Sequence, residues 1–139
     1  MDPVWLQPLD HQDPAIAEAI LAVQLPAYRQ EALLLGASSF PPLKRAVDDI
    51  VASRECYLGA FDRQQLVGAL SMGLDTQPGQ LNIASLVVLP SHQRRGVGRR
   101  LMAAVLEGCA GTVVTVSTGA DNAPALALYQ SFGFVERCV

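Results

Sequence analysis

Long apolar runs are absent from this chain: none approaches the roughly 18 consecutive residues that suggest a membrane span. The opening residues Met1-Asp2-Pro3-Val4-Trp5 carry neither a basic nor an apolar segment, so they do not read as a secretory leader. Cysteine is scarce as well. Cys56, Cys109 and Cys138 are odd in number and lack metal-ligand spacing, which argues against a disulfide framework and against zinc. No metal site is expected, and free thiols suit a reducing compartment. Charged residues make up only 17% of the chain, and the net charge is −3. A broad basic face is missing, which excludes a general nucleic-acid or membrane-surface role. The expectation is a soluble, cytoplasmic protein.

What the chain does have is apolar mass. Half of its 139 residues are hydrophobic, enough for a sizeable core and a single domain over residues 1–139. No internal repeat or low-complexity segment interrupts it. Residues 4–9 read as a first strand. Asp13 suits an N-cap and Pro14 a first helical position, with Ile16, Ala19, Ile20, Val23 and Gln24 following at helical spacing. Pro26 is expected to kink or end that helix, with a further helical stretch over 28–35 before Gly36. A second helix is predicted over 43–53, with Val47, Ile50 and Val51 on one face. Three strands follow, at 56–62, 65–74 and 81–89. The first two are joined by a hairpin-sized connection around Asp62-Arg63-Gln64. Then come a helix over 97–107, a strand over 112–117, a short helix over 123–131 and a last strand over 134–139. Asp121 or Asn122 would cap that short helix, Pro124 lies in its first turn, and Gly133 suits its end. The order β-α-α-β-β-β-α-β-α-β implies an α/β fold built on a mixed sheet.

Positive charge is concentrated in one place. Four of the ten basic residues lie between positions 94 and 100. They follow an apolar run, Leu86-Val87-Val88-Leu89, that stops at Pro90, and they flank Gly96-Val97-Gly98 where a helical pattern begins. A strand, a turn and a helix N-terminus of this kind present backbone N–H groups suited to phosphate. Arginines there oppose the helix dipole by a few tenths of a kcal/mol each, so their clustering favours an anionic partner. The glycine pair is not a dinucleotide fingerprint, since Leu101 takes the third glycine position. Nor is it the phosphate loop of nucleotide hydrolases, because no Gly-Lys-Ser/Thr follows.

Val88-x-Pro90, then Gln93-Arg94-Arg95-Gly96-Val97-Gly98, then a helix, closely resembles the acyl-CoA-binding motif of the GNAT N-acetyltransferase family, Gln/Arg-x-x-Gly-x-Gly/Ala. A second segment, running from Asn122-Ala123-Pro124 to Tyr129 and on to Gly133-Phe134, resembles the C-terminal signature of the same family. The resemblance implies the GNAT fold and coenzyme A, as acetyl-CoA, for the cofactor. The pantetheine arm would lie along Leu86, Val87 and Val88. The phosphates would meet Gln93, Arg94, Arg95, Gly96, Val97, Gly98 and Arg99, with Arg100 adding charge at the rim. Asn122 and Tyr129 would contact the arm. The implied reaction moves an acetyl group to a primary amine by direct attack in a ternary complex. Val88 N–H would be the oxyanion donor and Tyr129 the general acid for the departing thiolate. A phenol of ordinary pKa about 10 suits a thiol leaving group of about 8.5. Phe132 and Phe134 read as core.

The chain departs from the family at the general base. Asn82 and Ser117 stand where many relatives carry a glutamate, and neither can hold a proton at neutral pH. An alkyl amine of pKa about 10.4 must still lose one. Glu31, Asp75, Asp121, a water chain past Ser117, or desolvation of the amine are the candidates. Tyr28, Glu31 and Phe40 are candidate acceptor contacts for a small-molecule or peptide amine. His92 and His11 read as solvent-exposed loop residues. The family also offers homodimers, though no interface is legible here. The missing glutamates leave one rival reading, a non-catalytic acyl-CoA sensor or regulatory module of the same fold.

Overall fold

A computed structural model of the chain describes residues 4–36, 46–74, 80–108 and 113–116. Within them one sheet runs in the order β1-β2-β3-β4-β5, made of Trp5–Leu9, Cys56–Asp62, Gln65–Leu74, Gln80–Val88 and Val113–Val116. β1 to β4 pair antiparallel, and β5 joins β4 in parallel. That parallel step needs a crossover, supplied by helix α3, Val97–Gly108. Helices α1, Pro14–Leu35, and α2, Val47–Val51, connect β1 to β2. The mixed α/β sheet expected from the sequence is present. The expected elements over 123–131 and 134–139 lie outside the described residues.

Two apolar layers cover the sheet. Ala17, Ile20, Val23 and Tyr28 of α1 and Ile50 of α2 pack with Tyr57, Leu66, Ala69 and Val87 of the strands. On the other face Val97, Leu101, Met102 and Val105 of α3 pack with Ala60, Val67, Leu70 and Ile83. Alternation along β3 and β4 sends successive side chains to opposite layers, so Val87 belongs to the α1 layer while Leu86 and Val88 lie against the α3 layer. The β2–β3 hairpin turns through Arg63, held at φ 57°. Trp5 stacks on Phe61, its cross-strand partner, at 4.5 Å between ring centroids, and its indole N–H donates to Arg63 O at 3.1 Å.

α1 decides between two expectations: it does not end at Pro26 but continues through it as a single helix from Pro14 to Leu35. Its ends are well made. The Asp13 side chain accepts from Ala15 N–H at 3.0 Å, and Gly36 closes the helix at φ 66°. A proline leaves the carbonyl four residues earlier without its helical partner. That residue is Ala22, which is exposed, so water can satisfy the carbonyl and the buried face of the helix is not interrupted. Of the helix expected over 43–53, residues 43–45 lie outside the described residues, and α2 covers Val47–Val51. Ala46 is extended at φ −122°, and its N–H donates to Asp49 Oδ2 at 2.8 Å, which starts the helix at Val47.

Gln24 is the misfit in the α1 layer. It lies four residues after Ile20 and four before Tyr28, on the same buried ridge, and is 0% exposed with neither amide atom hydrogen-bonded among the described residues. An unpaired buried polar group of this type costs about 1–3 kcal/mol. Gln24→Met keeps the chain length and removes both polar atoms. It should therefore raise the midpoint of chemical denaturation, by about 1 kcal/mol or more in unfolding free energy; a lower midpoint would show that the amide is satisfied in solution.

Candidate functional site

The site begins with the direction of one peptide group. Gly68 of β3 lies opposite Val88 of β4, and Leu89 N–H donates to Val67 O at 2.8 Å. In an antiparallel ladder that bond makes Gly68–Val88 a non-hydrogen-bonded pair. The N–H and C=O of Val88 therefore point away from β3, toward the β5 side, and those of Leu86 do the same two residues back. Among the described residues, β5 pairs with β4 only from Gln80 to Ile83. Directly after Ile83 the β3–β4 register shifts, leaving Ala84 as the extra residue of a bulge. Bulges bend and twist a strand and end pairing. Leu86 and Val88 thus present backbone groups along an edge where no described strand meets them. Val87 differs, with its backbone turned to β3 and its side chain only 5% exposed in the α1 layer.

The chain then passes Leu89 and a 3-10 turn, Pro90–His92, and enters α3. Two residues in this connection adopt the left-handed region, Arg94 at φ 64° and Gly96 at φ 79°. A non-glycine residue there is uncommon, and alternating backbone of this kind turns successive N–H groups into an anion-binding concavity. Among the described residues, a Cβ at Gly96 would meet nothing within 4 Å. The glycine is thus called for by its backbone conformation, not by crowding among them. Gly96 O accepts from Arg100 N–H at 3.0 Å, which makes Gly96 the N-cap. It has no side chain to cap with, and the first turn of α3 holds no acidic residue. The N–H groups of Val97, Gly98 and Arg99 open this turn, with exposed Arg94, Arg95 and Arg99 around them.

Close packing seats that helix start. A methyl group on Gly68 would come within 2.9 Å of Val97 Cγ1 and 3.3 Å of Leu101 Cδ1. Val97 is buried and Gly98 half-buried, so the turn rests directly on the β3–β4 ladder beside Val88. Arg100 departs from expectation, because its guanidinium donates to Val4 O and ties α3 to β1.

Sequence spacing concealed three further contacts. Gln93 Nε2 donates to Val88 O at 3.2 Å and to Gln30 Oε1 of α1 at 2.6 Å. His92 is not a bare loop residue. Its Nε2 donates to Asp62 Oδ2 at 3.0 Å, and Nδ1 is hydrogen-bonded with Ser91 Oγ at 2.8 Å, fastening the turn to the end of β2. His11 likewise donates to Ser53 O at 2.7 Å and lies 4.9 Å from the Tyr57 ring. No local pattern signals the Gln93–Gln30, His92–Asp62 and His11–Ser53 pairs, since their members are 30 to 63 residues apart.

The remaining candidates divide. Tyr28 is a buried member of the α1 layer, and Glu31 is half-buried one turn further along. Asn82 Oδ1 accepts from Thr115 Oγ1 at 3.0 Å across the β4–β5 pair. Phe40, Asp75, Ser117, Asp121, Asn122 and Tyr129 lie outside the described residues. Among those described, no group of His, Cys, Asp and Glu could hold a metal ion, and no helix is long and apolar enough to cross a membrane.

The model of the acetyltransferase (GNAT) family matches residues 20–134 of this chain. The chain belongs to the GNAT family. Its relatives include the UPF0157 protein YqkA of Bacillus subtilis, 37% identical over 127 residues, which cover 91% of this chain and 36% of that protein. The N-alpha-acetyltransferase RimI of Mycobacterium tuberculosis is 35% identical over 104 residues, covering 73% of this chain and 65% of RimI. The GNAT chain therefore spans about a third of YqkA and under two thirds of RimI. Among solved structures, the PaiA N-acetyltransferase of Thermoplasma acidophilum, in complex with coenzyme A, superposes with a TM-score of 0.74. That alignment covers 96% of this chain and 91% of PaiA at 16% identity, a likeness of fold alone.

The seating of α3 is open to test. Gly68→Ala should force the first turn of α3 off the sheet and lower stability by about 1–3 kcal/mol, as overpacking does. Chemical denaturation measures it, and an unchanged midpoint would mean that Val97 does not rest on Gly68.

Proposed function

We propose that this GNAT-family chain is an acetyl-CoA-dependent N-acetyltransferase acting on a primary amine by direct attack in a ternary complex. The observation that carries the reading is the outward-facing Val88 peptide, set beside a helix start whose N-cap is a left-handed glycine. When bound, acetyl-CoA supplies the acetyl group as an activated thioester. The N–H groups of Val97, Gly98 and Arg99, with the side chains of Arg94, Arg95 and Arg99, would hold its phosphates. The open edge at Leu86 and Val88 would pair with the amide-bearing arm as a missing strand would. Val88 N–H would donate to the carbonyl oxygen, where negative charge grows during attack.

Tyr129 is the proposed proton donor to the leaving sulfur, and Asn122 a further contact to the arm. The acceptor would approach from the α1 side, because α3 occupies the opposite face of the sheet. Glu31 is the candidate base that lies on α1. Asn82 offers no carboxylate, and its amide oxygen is occupied by Thr115. That arrangement is what favours the second reading, an acyl-CoA-binding module without turnover. The acceptor is a small-molecule or peptide amine, and a cytoplasmic location suits the cofactor.

Titration calorimetry with acetyl-CoA tests the donor. Binding in the micromolar range is expected, and none at millimolar concentration would remove the proposal. Thiol release across an amine panel that includes peptides separates enzyme from sensor. On an accepted amine, Tyr129→Phe should lower kcat by about 10- to 100-fold, the lower range of general acid catalysis, with little change in acetyl-CoA affinity. Unchanged turnover with chemistry rate-limiting would take Tyr129 out of the mechanism.

A further inference from the structure

Gln93 is the first residue of the phosphate-loop motif, yet its amide faces elsewhere. A carboxamide nitrogen carries two hydrogens. Here it has two acceptors, Gln30 Oε1 at 2.6 Å and Val88 O at 3.2 Å. With both hydrogens committed, the side chain has no donor left for a phosphate, and its own oxygen is an acceptor that an anion would repel. The side chain of Gln93 is therefore a brace. What it braces is the peptide unit that follows Val88, whose oxygen it holds, while the N–H of the same unit, on Leu89, is held by Val67 O at 2.8 Å. A peptide unit pinned at both ends restricts φ and ψ of Val88 and so the direction of its N–H.

We infer that Gln30 is a positioning residue for the carbonyl-binding N–H of Val88, acting from α1 through Gln93. The inference rests on the reading of Val88 as the oxyanion donor. Gln30 is exposed and stands beyond Pro26, in the half of α1 whose next residue is Glu31. Its oxygen fixes the rotamer of Gln93, leaving one amide hydrogen aimed at Val88 O. Without that acceptor, Gln93 is free to swing toward solvent. The link also makes α1, the phosphate loop and β4 a single hydrogen-bonded unit, so an acceptor held against α1 bears on the geometry at Val88.

The role requires only a hydrogen-bond acceptor at position 30, which separates it from packing. Gln30→Met keeps length and helix propensity but removes the acceptor, and Gln30→Glu retains it. Position 30 is on the surface of α1, and both variants should unfold at the wild-type midpoint. The readout is isotope-edited infrared difference spectroscopy of saturating acetyl-CoA labelled with carbon-13 at the thioester carbonyl. Donation from Val88 lowers that stretching frequency on binding. The downshift should shrink in Gln30→Met, persist in Gln30→Glu, and shrink no further when Gln30→Met is combined with Gln93→Met. With an accepted amine, Gln30→Met should lower kcat about 3- to 10-fold, the scale of one ordinary hydrogen bond, and change acetyl-CoA affinity less than about 2-fold. An equal downshift in wild type and Gln30→Met overturns this inference and leaves the acetyl-CoA reading standing. A wild-type protein that fails to bind acetyl-CoA, or binds it without a downshift, overturns both.

Discussion

The hydrogen bond from Leu89 N–H to Val67 O sets the register on which the candidate site depends. Because backbone groups alternate along a strand, this one bond turns the polar groups of Val88 outward and those of Val87 inward. A slip of one residue would exchange them, and would also move Val87 out of the α1 layer. The same register places Gly68 opposite Val88, and the missing side chain there lets Val97 sit directly on the ladder. The outward peptide and the start of α3 are thus held together by one strand pairing.

The bulge at Ala84 complements that register. Described pairing between β4 and β5 ends at Ile83, and the bulge begins with the next residue. The strand is bent where it parts from its parallel neighbour, so the edge beyond carries donors and acceptors with apolar side chains still packed above and below. Backbone serves the site while side chains serve the core. Arg94 and Gly96 continue the principle into the loop, where two left-handed residues turn the chain so that N–H groups open toward one side.

α1 works against its own sequence in two places and remains a helix. Pro26 removes one helical hydrogen bond and Gln24 buries an amide unpaired among the described residues, costs of about 3 and 1–3 kcal/mol. The buried face of Ala17, Ile20, Val23 and Tyr28 offsets them, since each large apolar side chain removed from water contributes about 1.5–3 kcal/mol. The reward is a helix long enough for Gln30 to reach Gln93. The histidine at 92 and the carboxylate at 62 perform a similar service from the other side of the loop.

Local pattern carried most of the fold. Alternation and turn residues placed β2 and β3 to the residue, the Asp13-Pro14 and Gly36 signals marked both ends of α1, and the glycine pair after Pro90 located the phosphate-binding candidate. These signals are legible because they act over one or two turns of chain. Pro26 left open whether the helix ends or continues: its local penalty is real, and burial of the helix face outweighs it. By itself the sequence determined the order of elements, the concentration of arginine at residues 94–100, and the resemblance that names the family. Only the tertiary structure decided which backbone groups of β4 face outward, that Gly68 seats α3, and that Gln30, Gln93 and Val88 form one brace. Those facts depend on pairing register and on contacts across tens of residues, and side-chain spacing along a single chain does not encode either.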